Sequence, residues 1–166
     1  MNSIIDLVLG AIQVRIKILK TKVTDKPDAD FVLGGLAIGS RPTSKAILKS
    51  GFSAIMSLMD IGEGSQINLI DVKFTNIPIK NKTAPSIKQM EEGVRWVDSM
   101  INQGKRVLIH CNLGRGRSAL MVCAYLVTKE YDMVSAIELV KKRRSCIFLN
   151  QKQQSILAEF CKGYSK

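Results

Sequence analysis

The sequence predicts an α/β fold, a mostly parallel central sheet flanked by helices, and three observations carry that expectation. From Phe31 onward, short β-rich runs alternate with helical patterns. The run from Val107 to His110 is apolar without alternation, the mark of a central strand covered on both faces. A loop from Cys111 to Arg117 then leads into a segment, ALMVCAYLV, that is apolar almost all round, as a helix buried in the middle of the fold would be.

With 166 residues, 46% of them hydrophobic and 23% charged, the chain has the composition of an ordinary globular protein and the length for one hydrophobic core. Residues 31–166 are assigned to a single domain, and residues 1–30 to an N-terminal apolar and basic segment with a linker. The four cysteines, Cys111, Cys123, Cys146 and Cys161, are scattered, without the paired spacing of a metal site or the framework of a small secreted protein. A reducing, cytoplasmic setting follows from that usage. One histidine disfavours a zinc enzyme, and no Gly-Lys-Ser/Thr follows a glycine loop, which disfavours a Walker-type nucleotide site. No metal and no organic cofactor is implied. The net charge of +11 favours anionic partners without choosing among phosphorylated proteins, anionic phospholipids and nucleic acid. Nucleic acid is not favoured, because the basic run Lys141 to Arg144 reads as a solvated helix end.

Residues 4–19 are strongly apolar, but Asp6, Arg15 and Lys17 interrupt them and they are too short for a transmembrane span. Ile12, Val14, Ile16 and Ile18 alternate with Gln13, Arg15 and Lys17 as in a strand, whereas Ile5, Val8, Ile12, Ile16 and Leu19 fit a helix. The segment is expected to be packed on the domain, with in-plane membrane contact as the other reading. Phe31 to Leu33 and Leu36 to Ile38 read as short strands around the Gly34-Gly35 turn. Thr43 or Ser44 caps a brief helix that Gly51 ends, and Phe52 to Leu58 is a strand. Val72 to Ile79 is another strand, closed by the polar loop Lys80 to Pro85. Ser86 and Gln89 form a capping box, after which Ile87, Met90, Val94, Val97 and Ile101 mark the clearest amphipathic helix, ending at Gly104. Trp96, just off that stripe, is a packing residue. Two more helices are predicted, from about Met133 to Arg143 and from about Gln151 to Lys162.

The informative stretch is His110-Cys111-Asn112-Leu113-Gly114-Arg115-Gly116-Arg117-Ser118. The backbone amides from Asn112 to Arg117 can curl into an anion-binding nest, and Gly114 and Gly116 allow the positive φ angles and close approach a nest needs. The helix opening at Ser118 aims the positive end of its dipole at the same point. Cys111 therefore sits where a thiolate is favoured. Arg117 can present two parallel donors to phosphate oxygens, and the Ser118 hydroxyl is placed to hydrogen-bond the sulfur. His110 is read as a brace for the loop rather than a proton shuttle.

This run resembles the signature of the protein tyrosine phosphatase superfamily, His-Cys, five residues, Arg, then Ser or Thr. Leu36-Ala37-Ile38-Gly39-Ser40-Arg41-Pro42 is similar to the early strand and turn of its dual-specificity class. Ile77-Pro78-Ile79 and Ala84-Pro85-Ser86 are similar to that class's acid loop and following helix. The resemblance implies a dual-specificity phosphatase fold over Phe31 to Phe160 and a phosphocysteine mechanism with Cys111 as nucleophile and Arg117 as phosphate clamp. Arg115 resembles the second loop cation of the phosphatidylglycerophosphate phosphatase branch, which implies lipid or polyanionic phosphates; a solvated loop cation is the alternative. Gln151 and Gln154 fall where related enzymes sometimes carry a glutamine near the hydrolytic water.

One departure matters. Family members place an aspartate about thirty residues before the nucleophile, where it protonates the leaving oxygen. Here Asn81 occupies that position, and no Asp or Glu occurs between Val72 and Met90. An amide cannot serve as the acid. Either the enzyme depends on good leaving groups, or an acid such as Asp60 or Asp71 arrives from upstream. The rival reading is a phosphatase fold kept for phosphate binding, with weak turnover.

Overall fold

The computed structural model describes residues 4–63, 67 and 69–164. The chain runs α1 (Ile4–Thr24), β1 (Ala29–Leu33), β2 (Leu36–Gly39), α2 (Ser44–Ser50), β3 (Ala54–Ser57), a single 3-10 turn (Ile61–Glu63) and β4 (Lys73–Asn76). It continues through α3 (Ile87–Asn102), β5 (Val107–His110), α4 (Arg117–Val127), α5 (Met133–Arg143) and α6 (Gln151–Lys162). The five strands form one sheet in the order β1-β2-β5-β3-β4, with β1 antiparallel to β2 and the other pairs parallel. The expected mostly parallel, helix-flanked sheet is therefore the observed one.

Alternation along the strands builds two cores of unequal size. Leu36, Ile38, Ala54, Met56, Val107 and Ile109 point into the larger one, where helices α3 to α6 cover the sheet. Ala37, Ile55 and Leu108 point to the other face and meet Ile47 of α2 and Phe52. β5 is covered on both faces, as its unbroken apolar run requires. Every residue of α4 is buried, and Gly93 of α3 lets Met121 approach so closely that an added Cβ would lie 2.6 Å from its sulfur.

Local signals set the helix ends. The Thr43 hydroxyl accepts from the Ala46 amide, and Gly51 closes α2 with φ of 71°. Ser86 and Gln89 form the predicted reciprocal box at the start of α3. Asn150 and Gln153 form a second such box, which primes α6.

The strand-like alternation at Ile12 to Ile18 is overruled, since these residues lie within α1. A helix satisfies its own backbone donors and acceptors within the segment, whereas a strand here would need a neighbouring strand to do so. Gly10 and Val14 of α1 are buried, while Ile5, Val8, Leu9, Ile12, Ile16 and Leu19 are exposed. Trp96 packs, partly buried, against the larger core.

Candidate active site

In a sheet of this order the crevice lies beyond the carboxyl ends of the central strands, between β2 and β5, whose following helices α2 and α4 pack on opposite faces. The loop from Cys111 to Gly116 fills that crevice, entered from β5 and left through the N-terminus of α4. Its carbonyls are all engaged elsewhere. Cys111 O accepts from His110 Nδ1 at 3.4 Å, and Asn112 O from the Arg41 amide at 3.3 Å. Arg144 takes Leu113 O through Nη2 at 3.3 Å and Gly114 O through Nε at 2.8 Å. The amides of Phe148 and Leu120 take Arg115 O and Gly116 O at 2.9 and 2.8 Å. With the carbonyls turned outward, the loop amides are left to line a concave, anion-seeking surface.

Gly114 has φ of 66°, and a Cβ there would sit 2.5 Å from the Gly39 carbonyl carbon, so the loop can press on the end of β2 only with glycine. Gly116 differs from expectation. Its φ is −111°, so the need at that position is close approach alone: a Cβ would lie 3.1 Å from Gln153 Oε1.

Cys111 is buried, and its Sγ lies 3.4 Å from Ser118 Oγ. Burial pushes the thiol pKa up, but the Ser118 hydroxyl and amide, the Arg117 charge and the Gly114 amide outweigh it and hold the thiol below its ordinary value. Cys123, buried in α4 without such partners, is pushed up to about 12. His110 is also buried, and burial first, then the Arg41 and Arg117 charges, lower its pKa to about 4 despite the bond to Cys111 O. It is a neutral imidazole at neutral pH, with Nδ1–H as donor, and its Nε2 has no hydrogen-bond partner among the described residues. Arg117 is buried as well, and its Nη1 donates to Ile79 O at 2.9 Å and Leu58 O at 3.2 Å. The guanidinium is thereby fixed between the end of β3 and the loop after β4.

A cleft of about 370 Å³ opens over this loop, lined by Cys111, Asn112, Leu113, Arg115, Gly116 and Arg117. Its other wall is Asn81, Lys82, Phe148, Asn150 and Gln153. The sequence-predicted site residues thus converge, Asn81 among them. Among the described residues no carboxylate lines the cleft. Asp71 sits just before β4, whose first residue pairs with Ala54 and so lies at the level of Val107, the end of the sheet remote from Cys111. Asp60 lies beyond the correct end of β3, and its Oδ1 accepts from the Ile61 amide outside the cleft. A larger hollow of about 580 Å³ adjoins Val127, Tyr131, Asp132 and Cys161 at the opposite end of α4, and its Asp132 carboxylate caps α5.

Two residues escaped the sequence reading. Arg144 is not a solvated helix end: it is fully buried, with Nη2 and Nη1 on Asp28 at 2.7 and 3.0 Å and Nη1 on Asp30 at 2.7 Å. The glutamine at the site is Gln153, not Gln151, which is exposed, or Gln154, which bonds Leu149 O. Gln153 donates to Thr83 O at 3.0 Å and Asn150 to Lys82 O at 3.0 Å, which ties the Asn81 loop to α6. The capping-box spacing from Asn150 was the available signal. Arg115 lines the cleft and donates from Nε to Cys146 O at 2.8 Å.

Residues 36–162 match the family model for the catalytic domain of dual specificity phosphatases. The chain belongs to the dual specificity phosphatase family. Phosphatidylglycerophosphatase and protein-tyrosine phosphatase 1 of Rattus norvegicus is 35% identical over 98 residues, 58% of this chain and 47% of that protein. The chain thus spans about half, or less, of the length of the curated relatives it matches. Among solved structures, Tk-PTP in its active form shares 28% identity at a TM-score of 0.75, covering 82% of this chain and 97% of that one. PTPMT1 in complex with PI(5)P shares 25% identity at a TM-score of 0.70, covering 78% and 91%.

Proposed function

We propose that the protein is a cysteine-dependent phosphatase hydrolysing phosphate monoesters of phosphoproteins or phospholipids, with residues 31–166 as its catalytic domain and residues 1–30 as an appended segment. The observation that carries this is the Cys111 thiol, held below its ordinary pKa at the centre of a loop whose carbonyls all turn away. The thiolate attacks phosphorus, forming the S–P bond as the bond to the leaving oxygen breaks. Loop amides and the Arg117 fork take up the equatorial charge of that transition state. Water then attacks the phosphocysteine, releasing phosphate and the thiolate, whose returning charge the Ser118 hydroxyl stabilises. His110 holds the loop and shuttles no proton, because it stays a neutral imidazole.

Asn81 stands over the cleft and can donate a hydrogen bond to the leaving oxygen but not a proton. Turnover is therefore greatest for aryl phosphates, which leave well unprotonated. A reducing compartment suits the nucleophile, which works only as thiolate. The substrate range rests on the relative whose name joins lipid and protein phosphatase activities, and on the PI(5)P complex of PTPMT1.

The test is steady-state hydrolysis of an aryl and an alkyl phosphate by the parent, Cys111→Ser and Asn81→Asp. The parent turns over the aryl ester, Cys111→Ser is inactive, and Asn81→Asp gains about a hundredfold or more on the alkyl ester. Asn81 also supports a second reading, a phosphate-binding module. An inert parent that binds phosphate as tightly as Cys111→Ser would establish that reading and end the first.

A further inference from the structure

We infer that α1 docks the protein on an anionic phospholipid surface through an apolar stripe that the fold leaves facing solvent. Ile5, Val8, Leu9, Ile12, Ile16 and Leu19 are each 48% to 67% exposed. At the helical spacing of about 100° per residue, these six fall within an arc of roughly 100°. Gly10 and Val14, both buried, project from the other side of the helix. A Cβ at Gly10 would lie 2.8 Å from Arg115 Nη2, so that side rests on the Cys111 loop. A surface helix ordinarily turns its apolar stripe to the core. This one turns it to water.

Charge decides the occupant. The helix sequence carries Arg15, Lys17, Lys20 and Lys22 against Asp6 alone, and the whole chain is +11. An anionic bilayer satisfies both the stripe and the charge, whereas a second copy of the chain would set like charge against like. Among the described residues no helix is long and apolar enough to cross a membrane, so α1 lies in the plane of the interface. The Cys111 loop then stands about one helix diameter, roughly 10 Å, from the lipid. Substrates carried at a membrane surface would meet the site without leaving that surface.

Sedimentation with phosphatidylcholine vesicles, with and without phosphatidylserine, tests this for the whole chain, and it is read by binding alone, independently of turnover. The parent co-sediments with the anionic vesicles, less so at high salt, and Leu9→Asp/Ile16→Asp lowers partitioning by about tenfold or more. Ile12→Ser/Ile16→Ser, polar without added charge, lowers it in the same direction should the first variant fail to fold. Circular dichroism and aryl phosphate turnover report on the fold of each. Absence of parent binding, equal binding to neutral vesicles, or binding unchanged in folded variants overturns the inference. So does a concentration-dependent dimer in ultracentrifugation that the same variants dissociate while vesicles are ignored.

Discussion

At Cys111 burial and hydrogen bonding pull the thiol in opposite directions, and the strongest opponent of burial is the Ser118 hydroxyl, 3.4 Å from the sulfur. Removing that hydroxyl leaves burial less opposed, so the thiol pKa rises. For Ser118→Ala, the acidic limb of kcat/KM on an aryl phosphate moves to higher pH, and kcat falls because the departing thiolate loses its donor. A parallel pH profile for Asn81→Asp gains a descending alkaline limb, the ionisation of the new acid, which the parent lacks. The proposed nucleophile, clamp and hydroxyl were legible in the sequence because they are spaced along one continuous loop. Gln153 was missed, and the neighbour that makes Gly116 necessary with it, because their contact joins residues far apart in the chain.

Arg144 shows how an element end can serve a loop in another part of the molecule. The chain leaves α5 at this residue with φ of −136°, which turns the side chain from the solvated row of Lys141, Lys142 and Arg143 into the interior. There it joins Asp28 and Asp30 of the β1 region to the carbonyls of Leu113 and Gly114. Arg144→Lys keeps the charge but cannot span these acceptors with a planar fork. It is expected to lower stability in urea denaturation, by less than the about 3–5 kcal/mol that removing one partner of a buried ion pair costs. At low temperature, where the variant stays folded, its affinity for vanadate falls because the loop carbonyls are no longer held outward. Vanadate affinity equal to the parent's would show that the arginine serves stability alone. Gly114→Ala acts on the same contact from the loop side, through a strained φ and a collision with Gly39.

Across the whole molecule, the buried neutral His110 makes stability depend on pH. Its pKa is about 4 in the folded chain against 6.5 ordinarily, so between those values the unfolded chain binds a proton that the folded chain does not. Acidification through that window therefore favours unfolding, by at most about 3 kcal/mol from this residue, and the urea midpoint of His110→Gln falls less over the same range. The parallel sheet, its capped helices and the Cys111 loop were determined by the sequence itself, because they rest on apolar periodicity, capping chemistry and spacing, all local properties. The tertiary structure alone decided that Arg144 is buried, that Asp71 lies at the wrong end of the sheet, and that the stripe of α1 faces outward. Each of these depends on which distant segment occupies the space beside a residue, and strand order and helix docking set that where local pattern cannot.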